Sequence, residues 1–302
     1  MVNSTPELLI LAMDHRASLL RDVYGIEADP TAEQIAVISA HKGLIVDGLL
    51  RAIDDGIDRA RVGVLVDERY GSDVAVRARA AGIDLAMPIE RSGEPQFLLE
   101  YGTFGDREWI RHVDEFSPDQ VKVLVRDNPE ASSNRELQFD RLVTVSNALR
   151  KAGRTFLLEL LVPATPAQLE SVGSDVLRYD RELRTGLTVR VIQQMQDEGI
   201  EPGIWKIEGL ETTEDARAVV AAARRGERHS VSCIVLGRDA PAERLDHWLE
   251  IASGVEGFRG FAIGRSIWER PLMDHVAGTA TADELVARVA REYTHLVEVW
   301  DR

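Results

Sequence analysis

Short apolar runs recur along the chain, separated by longer stretches whose apolar positions return every three or four residues. The runs are Leu8–Met13, Val62–Val66, Leu85–Ile89, Val121–Val125, Phe156–Val162, Ile204–Ile207, Val231–Leu236 and Phe258–Ile263. They are often β-branched and mostly continuous rather than alternating, as expected of parallel strands covered on both faces. Helical spacing covers Thr31–Asp55, behind the start signal Asp29-Pro30, and then Ser72–Ala81, Arg135–Lys151, Arg181–Glu198, Glu214–Arg225, Ala242–Ala252 and Ala282–Trp300. Residues 91–117 carry the weakest pattern and read as a loop followed by a short helix. Eight strands, with a helix after nearly every one, predict an α/β fold: a single (β/α)8 TIM barrel. An open doubly wound sheet is the alternative, and no glycine-rich turn follows the first strand to support it. No Pro/Gly/Ser-rich linker divides the chain, so residues 1–302 are expected to form one domain.

Composition narrows the chemistry. The 51 acidic against 36 basic residues give a net charge of −15, which argues against a nucleic-acid or anionic-membrane surface but not against a small anionic ligand. No apolar run approaches the length of a membrane span. The first run, Leu8–Met13, is too short for a signal-peptide core and ends in Asp14-His15-Arg16. One cysteine, Cys233, forms neither an internal disulfide nor a thiolate cluster, and a reducing cytoplasm is the simplest setting. The seven histidines show no HxH or HxxxH pair, and no P-loop, GxGxxG or GxSxG occurs, so neither metal nor cofactor is expected. Only four lysines are present: Lys42, Lys122, Lys151 and Lys206.

Two of those four interrupt apolar runs, in Val121-Lys122-Val123 and Trp205-Lys206-Ile207, as Glu159 does between Leu158 and Leu160. Side chains alternate along a strand, so these charges can point into the barrel while their neighbours face the helices. A buried ion pair that merely fills the barrel is one reading. The other is a Schiff-base site, because an amine attacks a carbonyl when unprotonated, and desolvation and a neighbouring cation favour that form. Lys122 would supply the cation and Glu159 would move protons. Lys206 is nearest a strand end. Lys122 lies deeper, Lys42 is placed in the first long helix away from the strand ends, and Lys151 closes a helix. Charges at other strand ends mark further candidates: Asp14, His15 and Arg16 after the first, Asp67 and Arg69 after the second, Glu90 after the third, Arg126 after the fourth and Glu208 after the sixth. The last run leads into Gly264-Arg265-Ser266 before a helix, a possible phosphate cradle assisted by Gly237 and Arg238; a surface turn is the alternative.

The segments Met13-Asp14-His15-Arg16, Val66-Asp67-Glu68-Arg69-Tyr70-Gly71, Pro88-Ile89-Glu90, Val121–Val125, Trp205-Lys206-Ile207-Glu208, Leu236-Gly237-Arg238-Asp239 and Gly260–Ser266 together resemble the DUF2090 family. That family occurs alone or fused behind a sugar-kinase domain in inositol-catabolism proteins, and it is similar to class I aldolases of the tagatose-bisphosphate and sulfofructose-phosphate type. The resemblance implies a metal-free barrel with Lys206 as the Schiff-base lysine, Glu159 as proton shuttle, Lys122 and Asp14 in the site, and Arg265 at the phosphate. It implies retro-aldol cleavage of 2-deoxy-5-keto-gluconate 6-phosphate to dihydroxyacetone phosphate and malonate semialdehyde. The carboxylate of that substrate needs a further cation, for which Arg16, Arg69 and Arg126 stand open. Another ketose phosphate and a non-catalytic sugar-phosphate-binding barrel are the alternatives. The expected partner is a small phosphorylated sugar or keto acid. Barrel aldolases commonly assemble, so a homo-oligomer is compatible with the resemblance.

Overall fold

The computed structural model describes residues 6–131 and 134–302. Eight parallel strands pair in sequence order: β1 (Leu8–Ala12), β2 (Val62–Leu65), β3 (Asp84–Pro88), β4 (Gln120–Arg126), β5 (Thr155–Leu161), β6 (Ile204–Glu208), β7 (Ser232–Leu236) and β8 (Phe258–Ile263). β8 returns to β1 and closes the barrel. Around it run α1 (Ala17–Tyr24), α2 (Ala32–Asp54), α3 (Glu68–Ala80), α4 (Glu108–Phe116), α5 (Arg135–Lys151), α6 (Pro166–Ser171), α7 (Val176–Tyr179), α8 (Thr185–Asp197), α9 (Thr213–Ala223), α10 (Ala242–Ser253), α11 (Arg265–Val276) and α12 (Ala282–Trp300).

Strand alternation explains the continuous apolar runs. Leu8, Ile10, Ala12, Leu65, Ala86, Leu157, Ile204, Ile234 and Ala262 form a separate cluster that fills the barrel. Their neighbours, such as Leu9, Leu158, Trp205 and Phe261, belong to the larger core shared with the helices. Both sets are buried, so apolar residues fill most positions on both faces of a strand, and the charged side chains gather towards the carboxyl ends.

Closure depends on two glycines. A Cβ at Gly260, whose φ is +148°, would stand 2.0 Å from the Leu8 carbonyl oxygen, and one at Gly264 would stand 2.2 Å from that of Ala12. Backbone cannot yield as a side chain can, so β8 approaches β1 this closely only with glycine there. The helical shell is tied down from outside by α12, whose Tyr293 hydroxyl donates to the Leu9 carbonyl at 2.7 Å.

Two local expectations change. Glu68-Arg69-Tyr70 opens α3 rather than ending a strand, because the Asp67 carboxylate caps the helix by accepting from the Tyr70 N–H at 2.9 Å. The predicted helix over Arg181–Glu198 begins instead with a π-helical turn, Asp180–Arg184, that leads into α8. After β3 the chain makes a small hairpin: the Arg91 N–H donates to Leu98 O at 2.8 Å and the Glu100 N–H to Ile89 O at 2.9 Å. Among the described residues no helix is long and apolar enough to cross a membrane.

Candidate active site

Where the inward face turns polar, charges from five strands converge. The register sets Glu159 opposite Lys206 across β5 and β6, and Lys122 opposite Leu157 across β4 and β5, one layer deeper. Asp14 and Glu90 continue the inward alternation two residues beyond Ala12 and Pro88. The Lys122 ammonium donates to Asp14 Oδ2 at 2.8 Å and Glu90 Oε1 at 2.7 Å, and pairs with Glu159 Oε2 at 2.8 Å. The other oxygen of Glu159, Oε1, lies 2.9 Å from Lys206 Nζ. One carboxylate therefore bridges two buried lysines. All five side chains line a cavity of about 350 Å3 at the carboxyl ends of the strands, the size of a small-molecule site.

The electrostatics follow from this packing. Burial alone would neutralise Asp14 and Glu159, but Lys122 first, with help from Lys206, outweighs it and holds both carboxyls below the usual range. Burial opposes the charge of Lys122 too, and Asp14, Glu159 and Glu90 together overcome it, raising its pKa so that it stays protonated. Glu90 goes the other way: burial raises its carboxyl despite Lys122 and Arg16, and among the described residues its Oε2 has no hydrogen-bond partner. His15 forms part of the wall, edge-on to Trp268 at 5.6 Å. Burial lowers its pKa to about 4, so it is a neutral imidazole at pH 7.

The remaining predicted residues divide by position. Arg16 lines the cavity but is buried and committed to Glu90 at 3.7 Å and Glu100 at 3.3 Å. Asp67 and Arg69 do not line it. Asp67 is buried under α3, while Arg69 lies on the surface over the Tyr70 ring, 3.4 Å from Asp29. Glu208 points inward but accepts from the Val162 N–H at 2.8 Å and pairs with Arg238 at 3.0 Å; Arg238 also holds Asp180 at 2.8 Å. Both line a second cavity, so neither is a free ligand of the first. Gly264 caps α11 as its N-cap residue, with Arg265 and Ser266 in the first turn. The N–H groups of Arg265 and Ser266 have no intrahelical partner. The Arg265 guanidinium rests 3.4 Å from Asp239 and outside the cavity lining. Gly237 packs against Ser266 and Ile263.

Glu90, a candidate as a strand-end charge, meets Lys122 at 2.7 Å. Sequence reasoning missed one contributor. Lys42 reverses its expected place: from α2 it reaches the strand ends, donating to the Met13 carbonyl at 2.6 Å and pairing with Asp67. It thus braces the backbone next to Asp14. A lysine at helical spacing gives no sign of this reach. Among the described residues, no group of three or more His, Cys, Asp or Glu side chains is placed to hold a metal ion.

The family profile of DUF2090, described as uncharacterized proteins conserved in bacteria, matches residues 2–302. The chain belongs to the DUF2090 family. Among curated proteins, none matches it. Among solved structures, this DUF2090 barrel resembles a Schiff-base-forming fructose-1,6-bisphosphate aldolase at 15% identity and TM-score 0.57, over 97% of this chain and 93% of that one. An archaeal fructose 1,6-bisphosphate aldolase matches at 16% identity and TM-score 0.54, over 93% and 94%. The fructose-bisphosphate aldolase of Plasmodium falciparum matches at 13% and 0.58, over 97% and 91%. At such identities the likeness is one of fold: a (β/α)8 barrel.

Proposed function

We propose that this DUF2090 protein is a class I aldolase that cleaves 2-deoxy-5-keto-gluconate 6-phosphate to dihydroxyacetone phosphate and malonate semialdehyde. The observation that carries the reading is the Glu159 bridge between Lys206 and Lys122. A structural ion pair needs one lysine. Here the carboxylate touches a second amine that sits on the wall of an open cavity, where a carbonyl can reach it.

The chemistry runs as follows. The neutral amine of Lys206 attacks the C5 ketone, and loss of water gives an iminium. A base takes the proton of the C3 hydroxyl, the C3–C4 bond breaks, and its electron pair moves onto the iminium to give an enamine. Glu159 is the group within reach to take and return protons, and Lys122 keeps it ionised. Protonation of the enamine and hydrolysis release dihydroxyacetone phosphate. Asp14, fixed by Lys122, is available to accept from substrate hydroxyls. Phosphate binding is assigned to Arg265 with the N–H groups of Arg265 and Ser266, beside Gly237; the guanidinium must leave Asp239 to reach the ligand.

The test is a cleavage assay over a panel of ketose phosphates, with and without chelator, following dihydroxyacetone phosphate. The reading expects the 2-deoxy-5-keto acid to be the best substrate and chelator to have no effect, because the iminium is the electron sink. Preference for tagatose 1,6-bisphosphate or sulfofructose 1-phosphate would move the enzyme to a sister reaction. Cleavage lost in chelator and restored by zinc would end the Schiff-base reading.

A further inference from the structure

A second cavity, of about 320 Å3, adjoins the first at the rim over β4 to β7, and Arg126 lines both. Its walls are apolar: Leu161, Pro163, Ala164, Leu169 and Val176 contribute. The polar groups that face it are already engaged. The Tyr179 hydroxyl donates to Val162 O at 2.8 Å, and Glu208 accepts from the Val162 N–H at 2.8 Å. Arg238 is held by Asp180 and Glu208 at 2.8 and 3.0 Å. Arg126 differs: among the described residues its side chain makes no hydrogen bond or ion pair, and it is exposed at the end of β4. The other cavity cations are less suited. Arg16 is committed to two glutamates, Arg21 to Asp22, and Arg91 lines the first cavity alone.

We infer that the second cavity receives the aldehyde half of the substrate, and that Arg126 selects for a short aliphatic chain ending in a carboxylate. The inference rests on the Schiff-base reading for its direction: a ketose fixed at Lys206 and extended past Arg126 enters this cavity. A methylene chain meets apolar walls at no cost, whereas a polyhydroxylated chain buries hydroxyls with few free partners. Of the two cations that line this cavity, Arg126 is the one with no partner among the described residues, and it suits an anion at the end of the chain. Arg126 is thereby a specificity-determining residue, and the expected aldehyde product is deoxygenated next to its carboxylate.

Binding and covalent trapping separate this inference from the reading beneath it. Butanoate and its 2,3,4-trihydroxy analogue are titrated into the full-length protein by NMR, and dihydroxyacetone phosphate is trapped with borohydride in parallel. Butanoate should bind about tenfold more tightly than the trihydroxy acid, the scale set by one unpaired buried polar contact. Arg126→Leu and, separately, Ala164→Trp should each weaken butanoate by about tenfold or more. Both should still give the trapped adduct, which shows that they fold, and Arg91→Leu should leave butanoate binding unchanged. Equal binding of the two acids, no butanoate binding, or loss through Arg91→Leu rather than Arg126→Leu would overturn the subsite. Failure to trap any adduct, with the butanoate pattern as expected, would instead overturn the Schiff-base reading and leave the carboxylate site standing.

Discussion

Replacing Lys122 by methionine tests the electrostatic centre of the barrel. The ammonium contacts Asp14 and Glu159 at 2.8 Å and Glu90 at 2.7 Å, all buried. Methionine keeps most of the volume and removes the charge. Glu159 keeps Lys206 at 2.9 Å and Glu90 keeps Arg16 at 3.7 Å, so Asp14 is the carboxylate left without a cation in contact. Breaking a buried pair in this way costs about 3–5 kcal/mol, a large part of the ~5–15 kcal/mol that holds a domain folded. The cost depends on pH. Burial raises the Asp14 carboxyl, and Lys122 foremost lowers it; with the lysine gone, burial dominates. A carboxyl raised above its unfolded value destabilises the fold increasingly as pH climbs past that value. The deficit of Lys122→Met should therefore be near its full size at pH 7 and shrink towards pH 5, as Asp14 takes up a proton. Urea unfolding at several pH values, at constant m, measures it. A deficit that does not change with pH, or one below about 1 kcal/mol, would refute the arrangement described for Lys122.

Two further outcomes follow from the same geometry. His15→Gln should flatten the loss of stability on acidification. The imidazole is lowered from 6.5 to about 4, so the unfolded chain binds a proton that the folded one refuses; integrated from pH 7 to 4 that amounts to about 3 kcal/mol. An unchanged pH slope in the variant, or an NMR titration of His15 near 6.5, contradicts this. Arg265→Ala should reduce kcat/KM for a phosphorylated substrate by at least about tenfold while leaving an unphosphorylated analogue little affected. Equal losses would mean that the Asp239 contact, not phosphate recognition, is the role of Arg265.

What was legible in the sequence divides along a physical line. Strand alternation is local, so a charge flanked by large apolar residues can be assigned to the barrel interior without coordinates. Lys122, Glu159 and Lys206 lie where that rule puts them. At strand ends the rule weakens, because a charge there can equally face solvent, a helix start or a neighbouring loop. Asp67 became a helix cap, Arg69 a surface residue, and Glu208 and Arg238 members of a network around Asp180. Lys42 reaches the site only through tertiary packing, the docking of α2 on the ends of β1 and β2. No local pattern records that event. The second cavity was equally invisible, since its walls come from β4, β5 and β6, from the loops and short helices after β5 and from the turn after β7.

Covalent trapping tests the central claim most directly. The protein is incubated with dihydroxyacetone phosphate, reduced with borohydride, digested and mapped by mass spectrometry. With four lysines in the chain, an adduct is easily assigned. The account predicts one adduct per chain, on the peptide that contains Lys206, absent from Lys206→Ala and present in Lys42→Arg. An adduct on Lys122, or an active enzyme that yields none, would contradict it.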